Sequence, residues 1–217
     1  MTKLIIFDLD GTLLNTLEDL ADAANHVLAQ HGLPTHPVDA YRYFVGNGMP
    51  TLIHRILPEG QKEGALYETC FKEFLEYYTL HMHDKTSVYE GLTETLEQLQ
   101  AKGIKLAVAT NKVHTALKPL MDAYFPNIHW DALYGQRPGI PVKPDPEIVF
   151  DILETTHCTQ KETLYLGDTN VDITTAHGAG LQAVGVLWGY RPRTELEEAG
   201  AEFIIEKPHE LMDILSK

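Results

Sequence analysis

Three aspartates and a lysine carry most of the chemistry that the residue types and spacing of this chain allow. In "LIIFDLDGT", residues 4–12, an apolar run ends abruptly in Asp8 and Asp10, with Leu9 between them and Gly11 and Thr12 directly after. In extended backbone, residues two apart point to the same side, so both carboxylates would converge on one spot while Leu9 turns away. Left alone they would repel, and one would tend to stay protonated. A third acid, Asp168, arrives in "GDTNVD", residues 167–172. Together these make a hard oxygen site suited to Mg2+, which takes a few carboxylates, waters and a phosphate oxygen.

Phosphate also needs donors. Gly11 with Thr12, and Thr110 with Asn111, have the character of segments that expose backbone N–H groups at the start of a helix. Lys143, in "VKPDP" at residues 142–146, adds a full positive charge for a phosphoryl group. Acids for a divalent cation, N–H groups and an ammonium for an anion fit phosphoryl transfer.

These residues must be carried to one place by the elements around them. A β-rich run at Leu4 to Phe7 is followed, from about Thr16 to Asp84, by a stretch of helical character. "NTLEDLADAANHVLAQHG" has Asn15 or Thr16 as a cap, acids in the first turn, apolar residues at helical spacing and Gly32 as a stop. Further helices are expected near Pro37 and Pro50, and from Lys62 to His81. From Tyr89 onward short apolar strands ("IKLAVAT", "DALYG", "TLYLG", "QAVGV", "EFII") alternate with helices, among them Leu92 to Lys102, His114 to Tyr124, Pro146 to Leu153, Asp172 to Ala176 and one from Pro208. Such alternation predicts an α/β fold with a parallel sheet covered on both faces, and the helical stretch then reads as an insertion after the first strand. Ligands of such sheets sit beyond the carboxyl ends of the strands, where Asp8, Asp10, Thr110, Asn111, Lys112, Asp168, Thr169, Asn170 and Asp172 would collect, with Lys143 from a loop.

Composition excludes several other classes. Seventeen Lys and Arg against 31 Asp and Glu leave a formal charge of −14, a field that repels nucleic acid and anionic membranes. The 44% apolar content of the 217 residues is ample for a core. Cys70 and Cys158 have no zinc or disulfide spacing and read as buried thiols in a reducing compartment. Leu4 to Phe7 is too short for a membrane span or the core of a signal sequence, so no membrane partner and a cytoplasmic location are expected.

"DLDGT", then "TN", then a lysine before proline, then "GDTNVD", in this order across residues 8–172, resemble the haloacid dehalogenase superfamily. The resemblance implies a Rossmann-like, doubly wound core at 1–15 and 85–217 with a small helical cap at 16–84. It further implies that Asp8 is a nucleophile forming an aspartyl phosphate, and that Asp10 is the general acid and then base. Magnesium would be held by the Asp8 carboxylate, the Asp10 carbonyl and the Asp168 carboxylate, with Asp172 outside them orienting water or Lys143. Thr110 and Asn111 would bind the phosphoryl group and Lys143 would balance its charge. Relatives that cleave carbon–halogen bonds or phosphonates lack a carboxylate at the position of Asp10, so a phosphomonoester is favoured.

Within the cap, "YFVGNGMP", residues 43–50, resembles the "VGNG" of phosphoglycolate phosphatases. Gly46, Asn47 and Gly48 would let backbone amides approach a small acidic substrate, or would simply make a turn between two cap helices. Val45 stands where related phosphoglucomutases usually carry a lysine, which favours hydrolysis over transfer to a second sugar hydroxyl. The expected partner is a small phosphorylated metabolite, phosphoglycolate first, with sugar phosphates, nucleotides, pyrophosphate and a non-catalytic binding role as alternatives. The expected assembly is a monomer or homodimer. His81 and His83 read as solvated or packing residues, and Tyr67, Phe71, Phe74, Tyr77 and Tyr78 as helix packing.

Overall fold

A computed structural model describes residues 1–216. The chain divides into two compact units, one of Met1–Leu14 with Val88–Lys217 and the other of Asn15–Ser87.

The first unit is a six-stranded sheet. Its strands are β1 (Leu4–Phe7), β4 (Lys105–Val113), β5 (Ala132–Gln136), β6 (Thr163–Gly167), β7 (Gln182–Val186) and β8 (Phe203–Ile205), in the order β5-β4-β1-β6-β7-β8. The numbers β2 (Leu14–Asn15) and β3 (Ser87–Val88) denote two short strands at the points where the chain passes from one unit to the other. Every neighbouring pair in the large sheet is parallel. The order runs outward from β1 in both directions, so the winding reverses beside β1, the place where parallel sheets open a crevice at their carboxyl ends.

All four residues of β1 are buried, as expected for a strand covered on both faces. Ile5 and Phe7 join Leu106, Val108, Leu164, Leu166, Val184 and Val186 on one face. Leu4 and Ile6 join Ala107, Ala109, Tyr165 and Ala183 on the other. Leucines of α5 (Leu92–Ala101), α6 (Leu117–Tyr124) and α10 (Leu211–Leu215) cover the first face. Apolar residues of α7 (Glu147–Thr156), α8 (Asn170–Gly178) and α9 (Arg193–Glu198) cover the second. Each fully buried Leu, Ile or Phe contributes about 1.5–3 kcal/mol, so burial on both faces holds the central strand firmly.

The second unit is helical: α1 (Leu17–Gln30), α2 (Tyr41–Phe44), α3 (Met49–Ile56) and α4 (Ala65–His81), with α1 and α3 both packed on α4. The helix expected from Lys62 begins at Ala65, because Gly64 holds φ at 80° and interrupts helical backbone immediately before it. Phe74 and Tyr78 of α4 are buried and stacked, and Tyr77 lies between the rings of His26 and His81. His81 also pairs with Asp84 at 2.8 Å. Inside this unit the buried Asp19 carboxylate accepts the Lys85 and Thr86 N–H groups, each at 2.9 Å, and the Thr86 hydroxyl at 2.7 Å.

Other elements also differ from the sequence expectation. The strand "IKLAVAT" continues through Asn111 and Lys112 to Val113, with a register shift against β5 between Ala109 and Val113. The helix α9 has no counterpart in the periodicity, because Leu196 is the single buried residue of its six.

Candidate active site

At the carboxyl edge of the sheet the strand β1 stops at Phe7 and the chain turns under its own residues. The N–H groups of Thr12, Leu13 and Leu14 all bond back to the Leu9 carbonyl, at 3.2, 2.9 and 3.0 Å. Leu9 is driven into the core while Asp8 and Asp10 stay at the edge. Gly11 makes this turn possible: its φ is 94°, and a Cβ there would collide with the Asp168 carboxylate.

Asp8 is 7% exposed, and its Oδ1 accepts Lys143 Nζ at 2.8 Å. The same ammonium, with three N–H groups to share, lies 2.7 Å from Asp172 Oδ1, 2.9 Å from the Ala109 carbonyl and 3.1 Å from the Tyr165 hydroxyl. Burial disfavours its charge, but Asp172 and Asp8 outweigh that cost and hold Lys143 well above its ordinary value. The loop carrying this lysine is pinned by Asn111, whose amide donates to the Lys143 carbonyl at 3.0 Å and accepts the Lys143 N–H at 2.8 Å. Asn111, expected at the phosphate, therefore has its side chain engaged in supporting the lysine. The Thr110 hydroxyl oxygen accepts the Lys112 N–H at 3.1 Å, which leaves its proton for another acceptor.

Asp168 follows β6 and is fully buried. Its Oδ1 accepts the Thr12 hydroxyl at 3.2 Å and its Oδ2 the Tyr190 N–H at 2.8 Å. Asp172, at the first turn of α8, accepts the Thr169 N–H at 3.1 Å and the Thr169 hydroxyl at 2.8 Å through Oδ2 in a capping box, while Oδ1 faces Lys143.

Among the described residues, Asp8, Asp168 and Asp172 bring one carboxylate oxygen each to within 4.8 Å of one another. That concentration of like charge is visible in their protonation. Burial first, then Asp172, push Asp8 up to about 7 despite the opposing pull of Lys143. Burial, Asp172 and Asp8 push Asp168 well above its ordinary value, against the Tyr190 N–H and the Arg191 charge. Lys143 and Arg191 together do not balance three carboxylates, and hard oxygens short of positive charge fit a divalent cation such as Mg2+. The Asp10 carboxylate lies outside this trio. It is paired with Lys112, whose Nζ is 3.0 Å from Oδ1 and 3.3 Å from Oδ2.

The sequence places Lys112 at this edge without a role, and the structure gives it Asp10 as a partner. Tyr165 and the buried Arg191 are residues of this edge that sequence reasoning missed. Trp188 donates Nε1–H to the Thr12 carbonyl at 3.0 Å and so ties the loop after β7 to the turn after β1. Gly46, Asn47 and Gly48 lie in the helical unit, between α2 and α3. Gly46 and Gly48 have φ of 110° and 84°, and Arg55 binds the Asn47 Oδ1 at 2.8 Å and the Phe44 carbonyl at 2.9 Å. The glycines are thus required by the turn itself.

Comparison with known proteins agrees with this geometry. The sequence profile of haloacid dehalogenase-like hydrolases matches residues 5–186. A phosphoglycolate phosphatase of Haemophilus influenzae (strain 86-028NP) is 34% identical over 219 residues, covering 98% of both chains. One of Pseudomonas putida (strain KT2440) is 31% identical over 210 residues, covering 95% of this chain and 77% of its own. A solved structure from Lactobacillus delbrueckii subsp. bulgaricus, provisionally assigned as a phosphoglycolate phosphatase, superposes with a TM-score of 0.93 at 28% identity over 99% of each chain. With its acidic edge on a parallel sheet and a profile match spanning most of its length, this chain belongs to the haloacid dehalogenase-like hydrolases and is an enzyme of their phosphatase kind.

Proposed function

We propose that the protein is a Mg2+-dependent phosphomonoesterase working through an aspartyl phosphate, with phosphoglycolate as its substrate. The observation that carries this reading is the placement of Asp8, its Oδ1 on Lys143 and its carboxylate beside those of Asp168 and Asp172. A carboxylate so placed can approach phosphorus while positive charge offsets the phosphate oxygens.

In the first step an Asp8 oxygen bonds to phosphorus, the ester O–P bond breaks, and Asp10 gives its proton to the leaving oxygen. In the second, Asp10 takes a proton from water, the water oxygen bonds to phosphorus, and the Asp8 O–P bond breaks. Lys143 and the Thr110 hydroxyl hold the phosphoryl group, while Asp172 and Asn111 keep the lysine in place. The Asp8 and Asp168 carboxylates and the Asp10 carbonyl would hold Mg2+, which when bound would neutralise charge on the phosphate. On this reading residues 1–15 and 85–217 are the catalytic core and 16–84 a cap, with Gly46, Asn47 and Gly48 as its candidate specificity residues. The names of the curated relatives support phosphoglycolate over other small phosphates.

Among the described residues no helix is long and apolar enough to cross a membrane. Two buried free thiols, Cys70 and Cys158, support work in the reducing cytoplasm, as a monomer or homodimer. The test is phosphate release from phosphoglycolate and a panel of small phosphomonoesters, with and without Mg2+. Release that needs Mg2+ and is abolished by Asp8→Asn is expected. Undiminished turnover in that variant would remove the nucleophile and the mechanism with it.

A further inference from the structure

A lysine side chain that is 1% exposed is costly to bury, and Lys112 is buried directly against Asp10, whose own side chain is 20% exposed. The lysine is thus the more deeply buried partner and the carboxylate the more exposed one. Both sides of the Lys112 backbone are held. Its N–H bonds to the Thr110 hydroxyl oxygen at 3.1 Å. Its carbonyl lies so close to Gly135 of β5 that a Cβ there would collide with it. The ammonium reaches across to the turn after β1 and contacts both oxygens of Asp10, at 3.0 and 3.3 Å. A carboxyl group gripped this way loses the freedom to swing about its χ angles.

We propose that Lys112 is a positioning residue for proton transfer. It holds Asp10 so that the carboxyl proton meets the leaving oxygen. As the ester O–P bond breaks, the proton passes from Asp10 to that oxygen, the alcohol departs, and the carboxylate left behind is neutralised by the ammonium at its side. This rests on the reading of Asp10 as the acid, and the test separates the two.

The experiment compares kcat/KM for phosphoglycolate, whose alkoxide leaving group needs a proton, with that for p-nitrophenyl phosphate, whose phenolate leaves readily without one. In both cases kcat/KM reports the steps up to departure of the alcohol and is blind to the later hydrolysis. A positioned general acid contributes about 10²–10⁴-fold, so Lys112→Met should lower the phosphoglycolate value at least ~10-fold more than the p-nitrophenyl value. The ratio is measured in one preparation, so partial misfolding cancels from it. Lys112→Gln, smaller in its disturbance of the core, serves as the second variant and should shift the ratio in the same direction. Asp10→Asn is the reference. If it splits the two esters and neither Lys112 variant does, Lys112 is structural and the proposal is overturned. If Asp10→Asn lowers both esters equally, the assignment of Asp10 itself fails. Absence of hydrolysis of both esters by the unaltered enzyme removes both readings.

Discussion

Lys143 shows at the scale of one residue how this site is assembled. Its ammonium is shared by Asp8, Asp172, Tyr165 and the Ala109 carbonyl, so removing it strands two buried carboxylates. Breaking such a pair costs about 3–5 kcal/mol, and Lys143→Met should lower the unfolding free energy by about that much in urea titrations while phosphate release falls at least ~100-fold. A variant as stable as the parent would refute the shared-charge account. Asp172→Asn leaves Thr169 capped through one oxygen but weakens the hold on Lys143, and a smaller loss of about 10–100-fold in phosphate release is expected, as for other supporting residues. Asp8, Asp168 and Lys143 are legible from sequence because acids after apolar runs and a lysine before proline stand out against their surroundings. Tyr165 is not, since a tyrosine in "TLYLG" normally packs, and Lys112, though placed at this edge by its position after the strand, carries no mark in the sequence of the partner it meets.

At the scale of elements, the strands announce themselves and the short helices do not. Runs such as "LIIF" and "TLYLG" are apolar on both faces, and that pattern is what a doubly covered parallel strand requires. The end of β4 is concealed because Thr110, Asn111 and Lys112 are buried through hydrogen bonds and charge rather than through apolarity. For α9 the one buried residue is Leu196, packed against Gly185 of β7. Leu196→Ala should cost about 2–5 kcal/mol, and amide exchange should show α9 losing protection before the central strands do. Uniform protection across both would mean that α9 is held by something else. In the helical unit Asp19 joins α1 to the segment ending that unit. Asp19→Ala leaves the Lys85 and Thr86 N–H groups without their carboxylate and should cost about 2–3 kcal/mol, with faster exchange confined to residues near 85–86.

At the scale of the whole molecule, charge sets how stability should depend on pH and metal. Asp8 is held near 7, above its ordinary carboxylate value of 3.8. An acid raised on folding keeps its proton while the unfolded chain releases one, so the metal-free protein loses stability progressively as pH rises from about 4 to about 7. A cation that binds the ionised acids should reverse this. Mg2+ at 100 times its Kd adds about 2.7 kcal/mol where binding is to the folded state alone. The gain in Tm on adding Mg2+ should therefore be small near pH ~5 and grow toward pH ~8; equal gains at both would mean that the acids do not take up the cation. The same accumulation of charge divides what each level of description could reveal. By itself the sequence determined the parallel α/β sheet and the strand ends to which the acids belong, because strand periodicity and apolar runs are local signals that survive without a partner. The tertiary structure alone decided which charges meet. Lys112 finds Asp10 across 102 positions and Lys143 finds Asp8 across 135, and ion pairs between such distant residues leave no periodic trace in the chain that makes them. Burial then set Lys112 directly against Asp10.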